Sequence, residues 1–247
     1  MITLSLYNMK GGVGKTAAAI NFAYLSALDG NRTLLWDLDP QGSSSFYLGV
    51  QPSVKNESKK LLSHEINLSE AVQPSLYENL SIIPSDISAK QADVLLSEMK
   101  QSKKKLASLL SSLKSEYDVV ILDCPPGISL LLDNIFNATD WILMPNIPTT
   151  LSIRSYEAIA AYFKENNLDI EKVKCFFNMV DRRKNLHHEI LNQFHKDRVF
   201  FKNYIPYLSD VEKMGTYEAP LETFAANSYA AQCYRDLWKE IKKACFS

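Results

Sequence analysis

Seven consecutive residues, Lys10-Gly11-Gly12-Val13-Gly14-Lys15-Thr16, constrain the fold more than any other part of this chain. They follow the apolar segment 2–7 and precede an alanine-rich stretch, 17–28, so the order reads strand, glycine-rich turn, helix. Glycines let the backbone curl until successive N–H groups point inward, and the helix N-terminus adds its positive end. Such a concavity suits a polyphosphate. Lys15 is placed to neutralise β- and γ-phosphates, and the Thr16 hydroxyl to ligate Mg²⁺. The general phosphate-loop pattern has glycine at position 9, where this chain has Met9, and Lys10 stands as an additional lysine before the glycine pair. A side chain at position 10 points away from the phosphates its own loop cradles, so its natural phosphate partner belongs to a second subunit.

The rest of the chain alternates apolar runs with amphipathic stretches, as a βα-repeating fold requires. Strands are expected at 2–8, 33–37, 80–84, 119–123, 141–145 and 173–180. Helices are expected at 16–28, 89–115, 130–138, 152–166, 187–196 and 227–244. The run Val119-Val120-Ile121-Leu122 is apolar on both faces, which indicates a parallel sheet covered by helices on each side. The expected architecture is α/β, a doubly wound, mostly parallel sheet, with residues 1–247 forming one domain. Residues 51–60 read as a surface excursion, and the four lysines in 100–105 as a solvated helix face. With 27 basic and 28 acidic residues the net charge is −1, so nucleic-acid binding would need a local patch. Four scattered cysteines read as reduced thiols, no apolar run approaches the roughly 20 residues of a membrane span, and no signal peptide precedes the first strand; the expected location is the cytoplasm.

Two further segments carry chemistry. In Leu34-Leu35-Trp36-Asp37-Leu38-Asp39-Pro40-Gln41-Gly42, two carboxylates alternate at the carboxyl end of an expected strand, where open α/β sheets place ligands. A period of two points Asp37 and Asp39 the same way. In Val119-Val120-Ile121-Leu122-Asp123-Cys124-Pro125-Pro126-Gly127, a buried strand delivers Asp123 to a Mg²⁺ shell.

These three segments, in this order, resemble the ParA/MinD family of deviant Walker A ATPases, and most closely the Soj-type members that lack an N-terminal helix-turn-helix. The resemblance is dense in residues 1–49 and 117–145. It implies that Gly11, Gly12, Val13, Gly14, Lys15, Thr16 and Ala17 cradle ATP, while Lys10 crosses a two-fold interface to the partner's ATP. It further implies that Asp39 positions the attacking water, and that Asp37 and Asp123 support the metal with Thr16. Asn178 is matched to an asparagine that reads the adenine edge, and Pro206 to a proline segment lining the base pocket. Three places depart from the family pattern: Ala17 replaces a second hydroxyl, Tyr207-Leu208-Ser209-Asp210 replaces an arginine-bearing segment, and 146–151 lacks the usual Gln-x-Glu.

Family members act as timers. The resemblance therefore implies a homodimer formed on ATP binding and slow Mg²⁺-dependent hydrolysis, stimulated by a ParB-like or other cargo adaptor. Adhesion to a surface is also implied. Non-specific DNA is one such surface, which would make the protein nucleoid-associated. The candidate patch is the basic side of the C-terminal helix (Arg235, Lys239, Lys242, Lys243) with Arg182-Arg183-Lys184 and His187-His188. The alternatives are a MinD-like ATPase that uses the C-terminal helix on a membrane, and a metabolic ATP-dependent enzyme on the same scaffold.

Overall fold

The computed structural model describes residues 1–63, 65–99 and 102–246, so Lys100 of the lysine cluster lies outside the described residues. Among the described residues, seven strands form one sheet: β1 (Ile2–Leu6), β2 (Thr33–Asp37), β3 (Gln73–Pro74), β4 (Leu80–Ile83), β5 (Val119–Asp123), β6 (Trp141–Asn146) and β7 (Val173–Phe177). Their spatial order is β3-β4-β2-β5-β1-β6-β7. Every pairing is parallel except that of the two-residue β3 with β4.

Alternation within the strands explains why both faces need cover. Leu34 and Trp36 of β2, Val120 and Leu122 of β5, and Cys175 and Phe177 of β7 enter one apolar core. Their neighbours Leu35, Val119, Ile121 and Phe176 enter the other. The second core is closed by α1 (Lys15–Leu28), whose Ala18, Ala19 and Ala23 allow close approach to the sheet. The chain continues through α2 (Ser43–Tyr47), α3 (Glu57–Ser63), α4 (Leu68–Ala71), α5 (Ala92–Ser97), α6 (Lys105–Ser111), α7 (Leu130–Ala138), α8 (Thr150–Glu165) and α9 (Asn185–Phe194). Of these, α3 to α9 pack on the first core. Three short helices, α10 (Ser209–Glu212), α11 (Met214–Tyr217) and α12 (Leu221–Ala225), lead to the long α13 (Tyr229–Cys245).

Leu237, Trp238, Ile241 and Cys245 of α13 are buried against the α1 side, and Trp238 stacks on Phe22 with centroids 5.8 Å apart. Burial of a large apolar side chain stabilises by about 1.5–3 kcal/mol. The apolar stripe of α13 is thus packed on the core in this structure. Asp29, at the end of α1, accepts from Trp238 Nε1 at 2.8 Å and from Lys242 Nζ at 2.7 Å, joining the two helices. Among the described residues, no helix is long and apolar enough to cross a membrane.

Several expectations need correction. The single helix expected over 89–115 is broken into a 3-10 turn (Ile87–Gln91), α5, a second 3-10 turn (Ser102–Lys104) and α6. The cause is tertiary: Asn134 Oδ1 on α7 accepts from the backbone N–H groups of Lys105 and Leu106, at 2.9 and 3.2 Å, and so fixes a new helix start. Strands expected to reach 8 and 180 end at Leu6 and Phe177, the latter just before Met179 takes φ 54°. The excursion 51–60 is anchored: Glu57 is buried, and its Oε2 accepts from Ser53 N at 2.8 Å and Val54 N at 3.3 Å.

Candidate nucleotide-binding site

The carboxyl ends of β1, β2 and β5 lie side by side, because Leu6 and Asp37 both stand in register with Asp123. The glycine-rich loop leaves β1 at this edge. Gly12 and Gly14 have φ of 73° and 85°, a region that favours glycine, and α1 begins at Lys15 without a side-chain cap. Among the described residues, the amides of Gly11 through Ala17 donate to no other group of the chain. Their partners must come from outside the chain, and a row of free N–H groups at a helix start favours an anion.

The loop is braced from three directions. Asn8 Oδ1 accepts from Lys10 N at 3.0 Å, while Asn8 Nδ2 donates to Pro145 O at 2.8 Å and Asn146 Oδ1 at 3.3 Å. Tyr7 Oη donates to Gly127 O at 2.9 Å, and Gly127 N donates to Met9 O at 3.1 Å, which ties the loop to the Pro125-Pro126-Gly127 turn. Asn178 Nδ2 donates to Val13 O at 2.8 Å, and Asn178 Oδ1 accepts from Met179 N at 3.0 Å. Asn178, matched above to a base-reading residue, thus stands against the phosphate loop itself.

Lys15 is buried, and its Nζ donates to Lys10 O at 3.2 Å. Burial lowers its pKa, opposed by the charges of Asp123, Cys124 and Asp39. Asp123 and Asp37 are almost fully enclosed; desolvation raises both carboxyls, the charge of Asp37 adds to the rise at Asp123, and that of Asp39 adds a smaller part at Asp37. Asp123 Oδ2 accepts from Ser44 Oγ, whereas Oδ1 is buried with no hydrogen-bond partner. An orphaned anionic oxygen is costly unless a cation or donor meets it, so this site fits a hydrated Mg²⁺. Asp39 is half-buried just past the end of β2, with Oδ1 accepting from Gln41 N at 3.0 Å. Thr16 follows Lys15 in the first turn of α1.

Next to the loop, Val180, Arg182, Pro206, Tyr207 and Tyr229 help line a cavity of about 440 Å³. The Arg182 guanidinium lies 5.1 Å from the centre of the Tyr229 ring and 5.8 Å from that of Tyr204. Pro206 bridges in parallel to Val180, which places the proline segment beside Asn178. The site therefore gathers the loop, Asp37, Asp39 and Asp123 at one sheet edge, with Asn178 and Pro206 alongside. Sequence reasoning missed Asn8, Ser44, Ser45, Asn146 and Tyr229, and assigned Arg182 to a DNA-facing patch, whereas it lies with Pro206 and Tyr229. The serines directly continue the Asp-x-Asp-Pro-Gln-Gly turn, but only the register of Asp37 with Asp123 shows what they reach.

The basic surface expected from α13 and 182–188 is largely neutralised. Arg235 pairs with Glu222 at 2.5 Å, Lys239 with Asp236 at 3.2 Å, Lys242 with Asp29 at 2.7 Å and Arg183 with Asp181 at 2.9 Å. His187 is buried and accepts from Asp181 N through Nδ1. A different cleft, of about 750 Å³, lies at the amino-terminal ends of β6 and β7, away from the phosphate loop. Lys174, Lys196, Arg198, Lys202 and Lys243 line it over a floor that includes Trp141 and Phe200. None of these five cations has an ion-pair partner among the described residues. The acids of the cleft serve backbone amides instead: Glu240 accepts from Lys202 N and Asn203 N, and Asp197 from Val199 N.

A glycine-rich loop at a parallel-sheet edge, flanked by two buried carboxylates, defines a P-loop nucleotide-binding protein. An AAA-domain family model matches residues 1–174, and the chain belongs to that family, on the ParA/MinD branch that its loops resemble. The sporulation initiation inhibitor protein Soj of Bacillus subtilis is 28% identical over 249 residues, covering 96% of this chain and 97% of Soj. The chromosome-partitioning ATPase Soj of Treponema pallidum is 29% identical over 246 residues, covering 97% and 96%. Among solved structures, an ATP complex of McdA from Cyanothece superposes with a TM-score of 0.84 at 19% identity, covering 99% of this chain and 96% of that one.

Proposed function

We propose that the protein is an ATP-dependent, dimerising ATPase that acts as a switch in plasmid or chromosome partition, or in positioning another intracellular cargo. The observation that carries this reading is the convergence at one sheet edge of the uncommitted amides Gly11–Ala17, the buried Lys15 and the two buried carboxylates. The McdA structure, similar in fold, holds ATP. In this reading the loop amides and Lys15 bind the phosphates, Thr16, Asp37 and Asp123 hold Mg²⁺ through its water shell, and Asn178 and Pro206 border the base. Bound there, Mg²⁺ would supply charge neutralisation across the β- and γ-phosphates. Asp39, on the loop after β2, orients the attacking water. Lys10, whose ammonium has no ion-pair partner among the described residues, reaches the phosphates of a second copy.

Catalysis of this kind rests on positioning and charge neutralisation, so basal turnover is slow and a cargo-bound adaptor accelerates it. The surface is duplex DNA, held by the unpaired cations of the cleft at β6 and β7, and the dimer is nucleoid-associated. The test is the light-scattering mass of Asp39→Ala with ADP, with ATP–Mg²⁺, and again with duplex DNA. Doubling only with ATP, followed by co-elution with DNA, supports the partition switch. Doubling without DNA retention moves the surface to membrane or protein. No doubling removes the role of Lys10 and returns the chain to the metabolic alternative.

A further inference from the structure

The five-residue helix α2 follows the Asp39 loop directly, and its two buried serines reach carboxylates on two different strands. Ser44 Oγ donates to Asp123 Oδ2 at 2.8 Å. Ser45 donates to Asp37 Oδ2 twice, from Oγ at 2.8 Å and from N at 2.9 Å. Ser45 Oγ also accepts from Ser85 N at 2.9 Å, beyond the end of β4. Asp37 Oδ1 in turn accepts from Asp39 N at 3.1 Å.

Neighbouring residues on a helix diverge by about 100°. Consecutive serines can serve separate carboxylates here because Asp37 and Asp123 stand in register on adjacent strands. Both hydroxyls are almost fully enclosed, and burying a hydroxyl is costly unless it is paired. The pairing is also selective. It occupies one oxygen of Asp123 and leaves Oδ1, equally buried, without a partner.

We propose that Ser44 and Ser45 are positioning residues for the metal-shell carboxylates. Ser44 fixes the rotation of Asp123 so that Oδ1 stays available to the water shell of Mg²⁺. Ser45 fixes Asp37, which holds the backbone of Asp39. One short helix therefore sets the metal shell and the water-orienting loop together, so that neither can shift without the other. This inference rests on the ATP–Mg²⁺ reading above.

The test is a Mg²⁺ titration of fluorescent ATP-analogue binding to the full chain, with an arm in chelator. For Ser44→Ala and Ser45→Ala, half-maximal Mg²⁺ should rise about 10–100-fold, the cost typical of removing a group that orients a metal ligand. Affinity in chelator should stay at the wild-type level, which a general loss of structure would not permit. Ser45→Thr, which keeps the hydroxyl, should restore the wild-type Mg²⁺ requirement and serves as the folded control. Wild-type Mg²⁺ curves for both alanine variants, or equal losses with and without Mg²⁺, would overturn the inference. A wild-type chain with no Mg²⁺-dependent binding would overturn the nucleotide reading instead.

Discussion

A methyl group added at position 14 would lie 2.2 Å from Asn178 Nδ2, on a backbone whose φ is 85°. Two separate physical constraints therefore hold that glycine in place. Gly14→Ala should cost about 1–3 kcal/mol of stability from backbone strain alone, measured by urea unfolding, and should abolish ATP-analogue binding. The double variant Gly14→Ala, Asn178→Ala relieves the clash but not the strain, so it should recover stability only in part. Full recovery would show that the clash alone dictates glycine. The phosphate loop and the two carboxylate strands were legible in the sequence because spacing alone defines them. Ser44 and Ser45 were not, because hydroxyls after a turn look like solvated loop until the register of Asp37 with Asp123 brings two strands within their reach.

At the scale of elements, the strands were legible to within a few residues, since apolar runs on both faces admit few alternatives. Helix interruptions were not. Nothing local in 89–115 announces a break, and the group that makes one, Asn134, sits on α7. The two-residue β3 contains Pro74 and was too short to register. At the other end of the sheet, Arg32 and Asp118 clamp the starts of β2 and β5. Asp118 accepts from the Arg32 guanidinium at 2.8 Å and from Arg32 N at 2.9 Å. The guanidinium contact, then the backbone N–H, hold the Asp118 carboxyl down to about 2 from an ordinary value of 3.8. A depressed folded-state value means that the stabilisation is complete above 3.8 and is lost as pH falls towards 2. Asp118→Asn should thus lower stability at neutral pH and flatten the acid limb of the stability curve between those values. An unchanged limb would place acid sensitivity elsewhere.

Across the whole molecule, the nucleotide edge and the basic cleft occupy opposite ends of the sheet. A net charge of −1 provides no general attraction for DNA, so retention must come from the local cations. If Lys196, Arg198, Lys202 and Lys243 contact phosphates, replacing each by alanine should reduce the slope of log affinity against log salt by about 0.9 per lost contact. ATP-dependent doubling should persist in the same variants. Equal salt slopes for wild type and the quadruple variant would remove the cleft from the interface. The placement of two tryptophans also makes the protein its own optical instrument. Trp36 is buried one residue before Asp37, and Trp141 is half-buried on the floor of the cationic cleft. An anionic quencher such as iodide is drawn to Trp141 and excluded from Trp36. With the third tryptophan, the buried Trp238 of α13, replaced by phenylalanine, intrinsic emission can thereby be separated into a signal from each end of the sheet, with no label attached.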